Sequence, residues 1–294
     1  MGETVSFILP ALNEGENLLK TIQSLQEAST CEYEIIIVDN GSTDNSTDFL
    51  EQDHDSTCIR LFKTEKPLGA ASARNFGAAF AQGDIVVFVD AHVIFSPGWL
   101  DPIRELLQRE EMGIVAPAIS SWDAPTTSGG FGMQWTDAQL NVGWLEKRSS
   151  EPYAVPLLPG MCLAFRRDFF YEIEGFDSGM LGASMEDLEI CLRAWLLGYQ
   201  VFIVPEVVVS HLFRSNQPYK SHWMAIVYNI LRATYAHFHA QRAQRVVAAL
   251  RPMPPFTQAY SLIRESDIWL RRRSLEVKRI HDDTWFFEQF RMNF

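Results

Sequence analysis

Three short stretches of the 294-residue chain combine side chains able to hold a cation or move a proton. The apolar run Ile85-Val86-Val87-Phe88-Val89 leads directly into Asp90-Ala91-His92, and Val207-Val208-Val209 leads into Ser210-His211. Side chains on an extended strand alternate with a period of two, so Asp90 and His92 share a side if that geometry continues. One carboxylate with two neutral imidazoles suits a borderline divalent ion, Mn2+ ahead of Mg2+. The competing reading is a polar strand end with a helix-facing His92 and a structural His211. In the third stretch, Met185-Glu186-Asp187-Leu188-Glu189, acids crowd the first turn of a helix. The macrodipole favours them there whatever the function, yet a carboxylate facing a site from that position can act as a general base.

Asp39-Asn40-Gly41-Ser42-Thr43-Asp44 follows another apolar run. Asp39 at a strand end can accept an N–H from a pyrimidine edge, whereas Thr43 or Asp44 reads as a turn and helix N-cap. The first strand is followed by Pro10-Ala11-Leu12-Asn13-Glu14 without a G-x-G-x-x-G pattern, which weakens a dinucleotide-dehydrogenase reading. Glu14 faces a nucleotide there or simply starts a helix. Gly160 allows close backbone approach to a sugar or phosphate, or serves packing.

The elements that must position these groups alternate along the first half. Apolar runs at 5–9, 34–38, 59–62, 85–89 and 113–118 read as strands, and helical patterns fall at 16–27, 69–81 and after Pro97. Near-continuous apolar strands separated by helices predict a parallel sheet covered on both faces. Residues 120–159 loosen into Trp, Gly, Pro and Ser, with a short helix expected near 137–145. Beyond them a strand at 160–165, a helix at 185–197 and a strand at 201–209 are expected. Helices at 223–238, 241–250 and 256–273 follow. Trp122, Trp135 and Trp144 either line an acceptor groove or pack.

A net charge of −12 argues against a nucleic-acid partner, so an anionic substrate needs a local positive feature. The four cysteines lack C-x-x-C spacing and read as buried thiols. No apolar run approaches the roughly 20 residues of a membrane span. The N-terminus lacks a basic region before its first strand, so a cytoplasmic location is expected. Arg271-Arg272-Arg273 among aromatics suggests peripheral contact with a membrane or an acidic partner, or else a solvated helix face. Nothing in the sequence encodes the oligomeric state.

Taken together, 9–14, 38–44, Gly69-Ala70-Ala71-Ser72-Ala73-Arg74-Asn75, 89–92 and Glu186-Asp187 occur in the order of the motifs of family-2 GT-A glycosyltransferases. The chain resembles that family over residues 4–220. The resemblance implies an α/β fold of GT-A type, with a doubly wound, mostly parallel sheet. It places Pro10, Glu14, Asp39 and Arg74 beside the nucleotide, with Asp39 and Arg74 holding base and ribose. It also sets Asp90 on the metal and diphosphate, and Asp187, next to Glu186, as general base of an inverting transfer. His92 stands where the family's metal-binding D-x-D has its second acid.

In that departure the chain resembles the polypeptide N-acetylgalactosaminyltransferases. Leu158-Pro159-Gly160-Met161-Cys162, Phe176-Asp177-Ser178-Gly179-Met180, Glu186-Asp187-Leu188-Glu189-Ile190 and Ser210-His211-Leu212-Phe213-Arg214, with Tyr219, extend the likeness. It implies His211 as third metal ligand, and Arg214 and Tyr219 on a mobile loop over the diphosphate. Those enzymes have Asn in place of Asp187 and retain anomeric configuration. They usually carry a lectin domain and a membrane anchor, neither expected here.

The expected organisation is a catalytic domain over 1–220, divided into a nucleotide half (1–118) and an acceptor half (119–220), followed by a helical extension over 221–294. The expected activity is metal-dependent transfer of a sugar from a nucleoside-diphosphate sugar, UDP-linked by preference, to a peptide, glycan or small-molecule hydroxyl. Alternatives are an inactive nucleotide-sugar-binding protein or a nucleotidyltransferase. The latter would place a Gly-rich, basic loop after the first strand, which is missing here.

Overall fold

The structure is a computed structural model and describes residues 3–52, 58–123, 129–214 and 223–294. Its elements begin with β1 (Val5–Ala11), α1 (Asn17–Ala28), β2 (Tyr33–Asp39), α2 (Asp48–Gln52), β3 (Ile59–Lys63), α3 (Ala70–Ala78), β4 (Ile85–Val89) and β5 (Val93–Ile94). Then come α4 (Asp101–Leu107), β6 (Met112–Ser121), β7 (Met133–Trp135), β8 (Val142–Trp144), β9 (Tyr153–Ala154), β10 (Cys162–Arg166) and α5 (Arg167–Glu172). The chain closes with α6 (Glu186–Leu196), β11 (Gln200–His211), α7 (Trp223–His237), α8 (Ala240–Leu250), α9 (Phe256–Glu265), α10 (Ile268–Glu276) and α11 (Asp283–Gln289).

Among the described residues the main sheet has the order β3-β2-β1-β4-β10-β6-β11-β5, with β9 beside β11. The first four strands are mutually parallel, and β11 is parallel to β6. β10 runs antiparallel between β4 and β6, and β5 and β9 run antiparallel to β11. The sheet is largely parallel, as expected, and mixed in its second half.

Both faces are covered, which is why β4 is apolar throughout and β1 and β2 nearly so, rather than alternating. Ile8, Ile36, Val38 and Phe88 point into one core, while Phe7, Leu9, Ile35 and Ile37 point into the other. On α1, Leu18, Ile22 and Leu25 share the stripe that seals the second face. Burying one such large side chain contributes about 1.5–3 kcal/mol. On the first face, α3 presses close because its inward positions are small. A Cβ on Gly77 would come within 2.6 Å of Ile8 Cγ2. Val227, Leu231, Phe238, Phe286 and Phe287 from the C-terminal helices join the same core as Phe88 and Phe165.

Two local expectations fail for identifiable reasons. The helix expected near 137–145 is instead a turn leading into β8, which pairs with β7. The Asp137 carboxylate accepts the Gln139 and Asn141 N–H groups, and Leu140 has φ 58°. A short polar side chain has thus captured the backbone donors that a helix needs. The helix expected over 256–273 breaks between α9 and α10. There Ser266 Oγ donates to the Ile263 carbonyl and Asp267 turns aside to accept from Arg232 at 2.7 Å.

The arginine triplet forms no basic face. Arg271 Nε lies 2.9 Å from Asp177 Oδ2, and Arg272 donates to the Tyr235 and Phe238 carbonyls at 2.9 and 2.8 Å, leaving Arg273 exposed. Cys162 and Cys191 are buried free thiols. Among the described residues no helix is long and apolar enough to cross a membrane.

Candidate active site

A doubly wound sheet binds ligands beyond the carboxyl ends of its strands, where the strand order reverses. That reversal falls between β1 and β4, because β2 and β3 continue to one side of β1 while β4 starts the other. The loops leaving β1 and β4 meet there with the first turn of α6 and the end of β11, around a cleft of about 830 Å³. Pro10, Glu14, Arg74, Asp90, His92, Gly160, Glu186, Asp187, His211 and Arg214 all line it.

His92 and His211 are brought together by strand pairing. β5, immediately after His92, pairs with the end of β11 so that Val93 lies opposite His211, and Leu212 N–H donates to the His92 carbonyl at 3.1 Å. The two imidazole centroids are 4.7 Å apart. Ligand atoms of Asp90, His92 and His211 all lie within 4.8 Å of one another. His211 Nε2 is 3.6 Å from Asp90 Oδ2, while its buried Nδ1 has no hydrogen-bond partner among the described residues. Two imidazoles and a carboxylate gathered so closely, one ring carrying a buried nitrogen without a partner, fit a divalent cation, the donor set being N, N and O. Burial acts to raise the Asp90 carboxyl, but its bond to His211 and the Arg74 guanidinium outweigh this and hold it far below the usual carboxylate range.

Glu14 supports this cluster from the loop that leaves β1. Its Oε2 lies 3.1 Å from His92 Nδ1 and also accepts from Arg214. With Nδ1–H donating to Glu14, the His92 Nε2 lone pair is left for coordination. Glu14→Gln removes the charge that makes His92 a stronger ligand. Mn2+ affinity measured by titration calorimetry should fall roughly tenfold or more, and wild-type affinity would exclude this role.

Arg74 ties the cluster to the acid pair. From α3 it donates to Glu186 Oε1 at 2.7 Å, to Asp90 Oδ1 at 3.1 Å and to the Gly160 carbonyl at 3.1 Å. Its guanidinium is therefore engaged at the junction of carboxylates. Gly160 is a close-packing position, since a Cβ there would lie 3.0 Å from Arg74 Nη2 and 3.1 Å from Asp187 Cβ. That closeness lets Gly160 N–H donate to Asp187 Oδ2 at 2.7 Å. Burial, and next the Glu186 charge, push the Asp187 carboxyl up to about 7. A carboxylate tuned near neutrality and facing a cleft is equipped to accept a proton.

Asp39 is held from within. Its carboxylate accepts from Ser42 N–H at 2.9 Å and Thr47 Oγ1 at 3.0 Å, and it does not line the cleft. The two loops beside it are laced together, with Asn13 N–H donating to Ser42 Oγ and Thr43 N–H to Asn13 Oδ1. Tyr219 lies outside the described residues. Trp135 is buried in the core, whereas Trp144 is exposed and meets Phe213 edge-on.

Sequence reasoning missed Met180, Leu181 and Ser184, which form one wall of the cleft. Ser184 Oγ there is buried without a partner among the described residues. It also missed Asn229, a completely buried polar residue whose sequence signal is its isolation among apolar neighbours in α7.

A crevice at the switch point, a D-x-H triad and a helix-borne acid pair define a GT-A glycosyltransferase architecture. The chain belongs to glycosyl transferase family 2, whose family model matches residues 6–174. It is 33% identical over 240 residues to polypeptide N-acetylgalactosaminyltransferase 4 of Mus musculus, an alignment covering 74% of this chain and 41% of that protein. Against polypeptide N-acetylgalactosaminyltransferase 3 of Drosophila melanogaster it is 33% identical over 226 residues, covering 69% and 33% respectively. The chain thus spans well under half the length of either relative. Among solved structures, GalNAc-T7 with UDP, GalNAc and Mn2+ superposes with a TM-score of 0.81 at 21% identity, over 98% of this chain and 56% of that one. A mannosyltransferase from Pyrobaculum calidifontis with GDP-Man and Mn2+ gives 0.58 at 16% identity, over 93% and 83%.

Proposed function

We propose that the protein transfers a sugar from a nucleoside-diphosphate sugar to a hydroxyl acceptor, with a divalent ion, Mn2+ by preference, held by Asp90, His92 and His211. The observation that carries this reading is the triad itself, set at the switch point of a GT-A sheet with its ligand atoms within 4.8 Å of one another. A bound divalent ion supplies positive charge against the diphosphate as the glycosyl bond breaks. One carboxylate and two neutral imidazoles leave that charge largely uncancelled.

The protein's own groups do the rest. Arg214, paired with Glu14 and lining the cleft, is a cation available to the diphosphate. Arg74 pairs with Glu186 and Asp90 and so holds the cleft's shape. Asp187 deprotonates the acceptor hydroxyl, giving an inverting displacement. The names of the relatives support a UDP-linked N-acetylgalactosamine donor and a peptide acceptor. Residues 1–220 carry the reaction, and 221–294 are a helical extension that completes one of its two cores.

The first test is a donor screen. UDP-, GDP- and dTDP-sugars are each titrated into the protein with Mn2+ and again with chelator. Binding of one UDP-sugar that disappears with chelator is expected. A folded protein that binds none of them, or binds equally well without metal, sinks the proposal.

A further inference from the structure

The acid pair opens α6, and the segment just before it has an unusual backbone. Gly182, Ser184 and Met185 have φ of 64°, 126° and 70°. For residues bearing a Cβ such angles are costly and persist only where the surroundings impose them. Here the surroundings come from α7, in the C-terminal helices. Asn229 accepts the Leu181 N–H at 2.8 Å and donates to the Leu181 and Ser184 carbonyls at 2.8 and 3.0 Å. Arg232, one turn on, grips Asp177 with two bonds of 2.8 and 2.9 Å. From the opposite side, Ala70 N–H donates to the Gly182 carbonyl at 2.7 Å.

What is held in this way is a wall of the cleft. Residues 180–184 line it, and Ser184 N–H donates to Glu186 Oε2 at 2.8 Å. Asn229 lies behind the wall and does not itself line the cleft. Neither donor of its amide is spare, and Asn229 itself is completely buried. An apolar residue of the same size would take away the partner of the Leu181 N–H and of the Leu181 and Ser184 carbonyls.

We propose that Asn229 is a positioning residue, holding 181–184 in the strained form that presents Ser184 and the acid pair to the sugar half of the cleft. The inference rests on the sugar-transfer reading. Asn229 acts on the wall beside Asp187, not on the metal triad or the β1 loop. Its loss therefore weakens recognition of the sugar while leaving that of the diphosphate intact.

The experiment compares UDP with UDP-N-acetylgalactosamine, each titrated with Mn2+ into the wild-type protein, Asn229→Ala and Ser184→Ala. Steady-state KM and kcat are measured alongside. In both variants UDP should bind within about twofold of wild type, and the extra affinity contributed by the sugar should fall roughly tenfold, the worth of about one hydrogen bond. KM for the donor should rise by the same factor. Equal loss for the two ligands in Asn229→Ala would reduce Asn229 to a stabilising role and overturn the inference. If Asn229→Ala does not fold, Ser184→Ala decides. An undiminished sugar contribution there overturns the inference, and a diminished one supports it. Wild-type protein that gains nothing from the sugar overturns the sugar-transfer reading and this inference with it, whereas wild-type selectivity kept in both variants overturns the inference alone.

Discussion

Asp187→Asn is expected to lower transfer by on the order of 10²–10⁴-fold, the usual contribution of a positioned general base, with UDP affinity and folding unchanged. The variant removes the charge while its amide oxygen can still accept the Gly160 N–H that now reaches Oδ2, losing only the acceptor that the Leu188 N–H finds in Oδ1. The pH profile supplies an independent signature. A base must be deprotonated to act, and the Asp187 carboxyl is raised to about 7 by burial and by Glu186. Turnover in wild type should therefore climb as pH rises through about 7 and level off above it, while the residual rate of the variant stays flat over that range. Product configuration read by NMR completes the test, since inversion is required of a direct displacement. Undiminished turnover in Asp187→Asn, or a product that retains configuration, would remove Asp187 from the base role.

The second large effect concerns the triad. His211→Ala should reduce donor affinity in Mn2+ to the level wild type shows with chelator. That loss should exceed the roughly 10–100-fold expected for a supporting partner such as Glu14. The imidazole also packs between His92, at a tilt, and Phe213, edge-on, so part of any loss comes from packing. A His211→Asn control fills much of the space without the same ligand strength. Calorimetry of metal alone, and then of donor with metal, separates the two. If both substitutions titrate like wild type, His211 is not a ligand.

Much of this was legible in the sequence because the sheet is buried on both faces. β4 is an uninterrupted apolar run and β1 and β2 are nearly so, and such runs announce themselves. The ends of β4 and β11 then put Asp90, His92 and His211 beyond the carboxyl ends of the strands, where residue types and spacing suggested a cation. Direction was not legible, because a five-residue run such as β10 looks the same parallel or antiparallel. Asp39 illustrates a second limit. Its place at a strand end was read correctly, but only the folded loop reveals that Ser42 and Thr47 occupy both its oxygens. The near-neutral carboxyl of Asp187 likewise depends on Glu186, Arg74 and burial acting together, which no linear pattern encodes. The same holds for the wall at 180–184, whose positive φ angles at Ser184 and Met185 have no glycine or asparagine to betray them.

The two-residue strand that delivers His92 also bears on self-association. β5 is the outermost strand on its side of the sheet, and an edge strand offers unpaired backbone groups to any passing chain. Its shortness leaves almost no template, and Pro97 soon after it cannot donate a ladder hydrogen bond. On the other flank the edge strand β3 carries Arg60 and ends in Lys63, charged side chains of the kind that disfavour edge pairing. A longer β5 would hold His92 just as well but would expose a ribbon able to recruit neighbouring molecules. Keeping it to two residues gives the imidazole its place while leaving the molecule poorly suited to edge-to-edge aggregation.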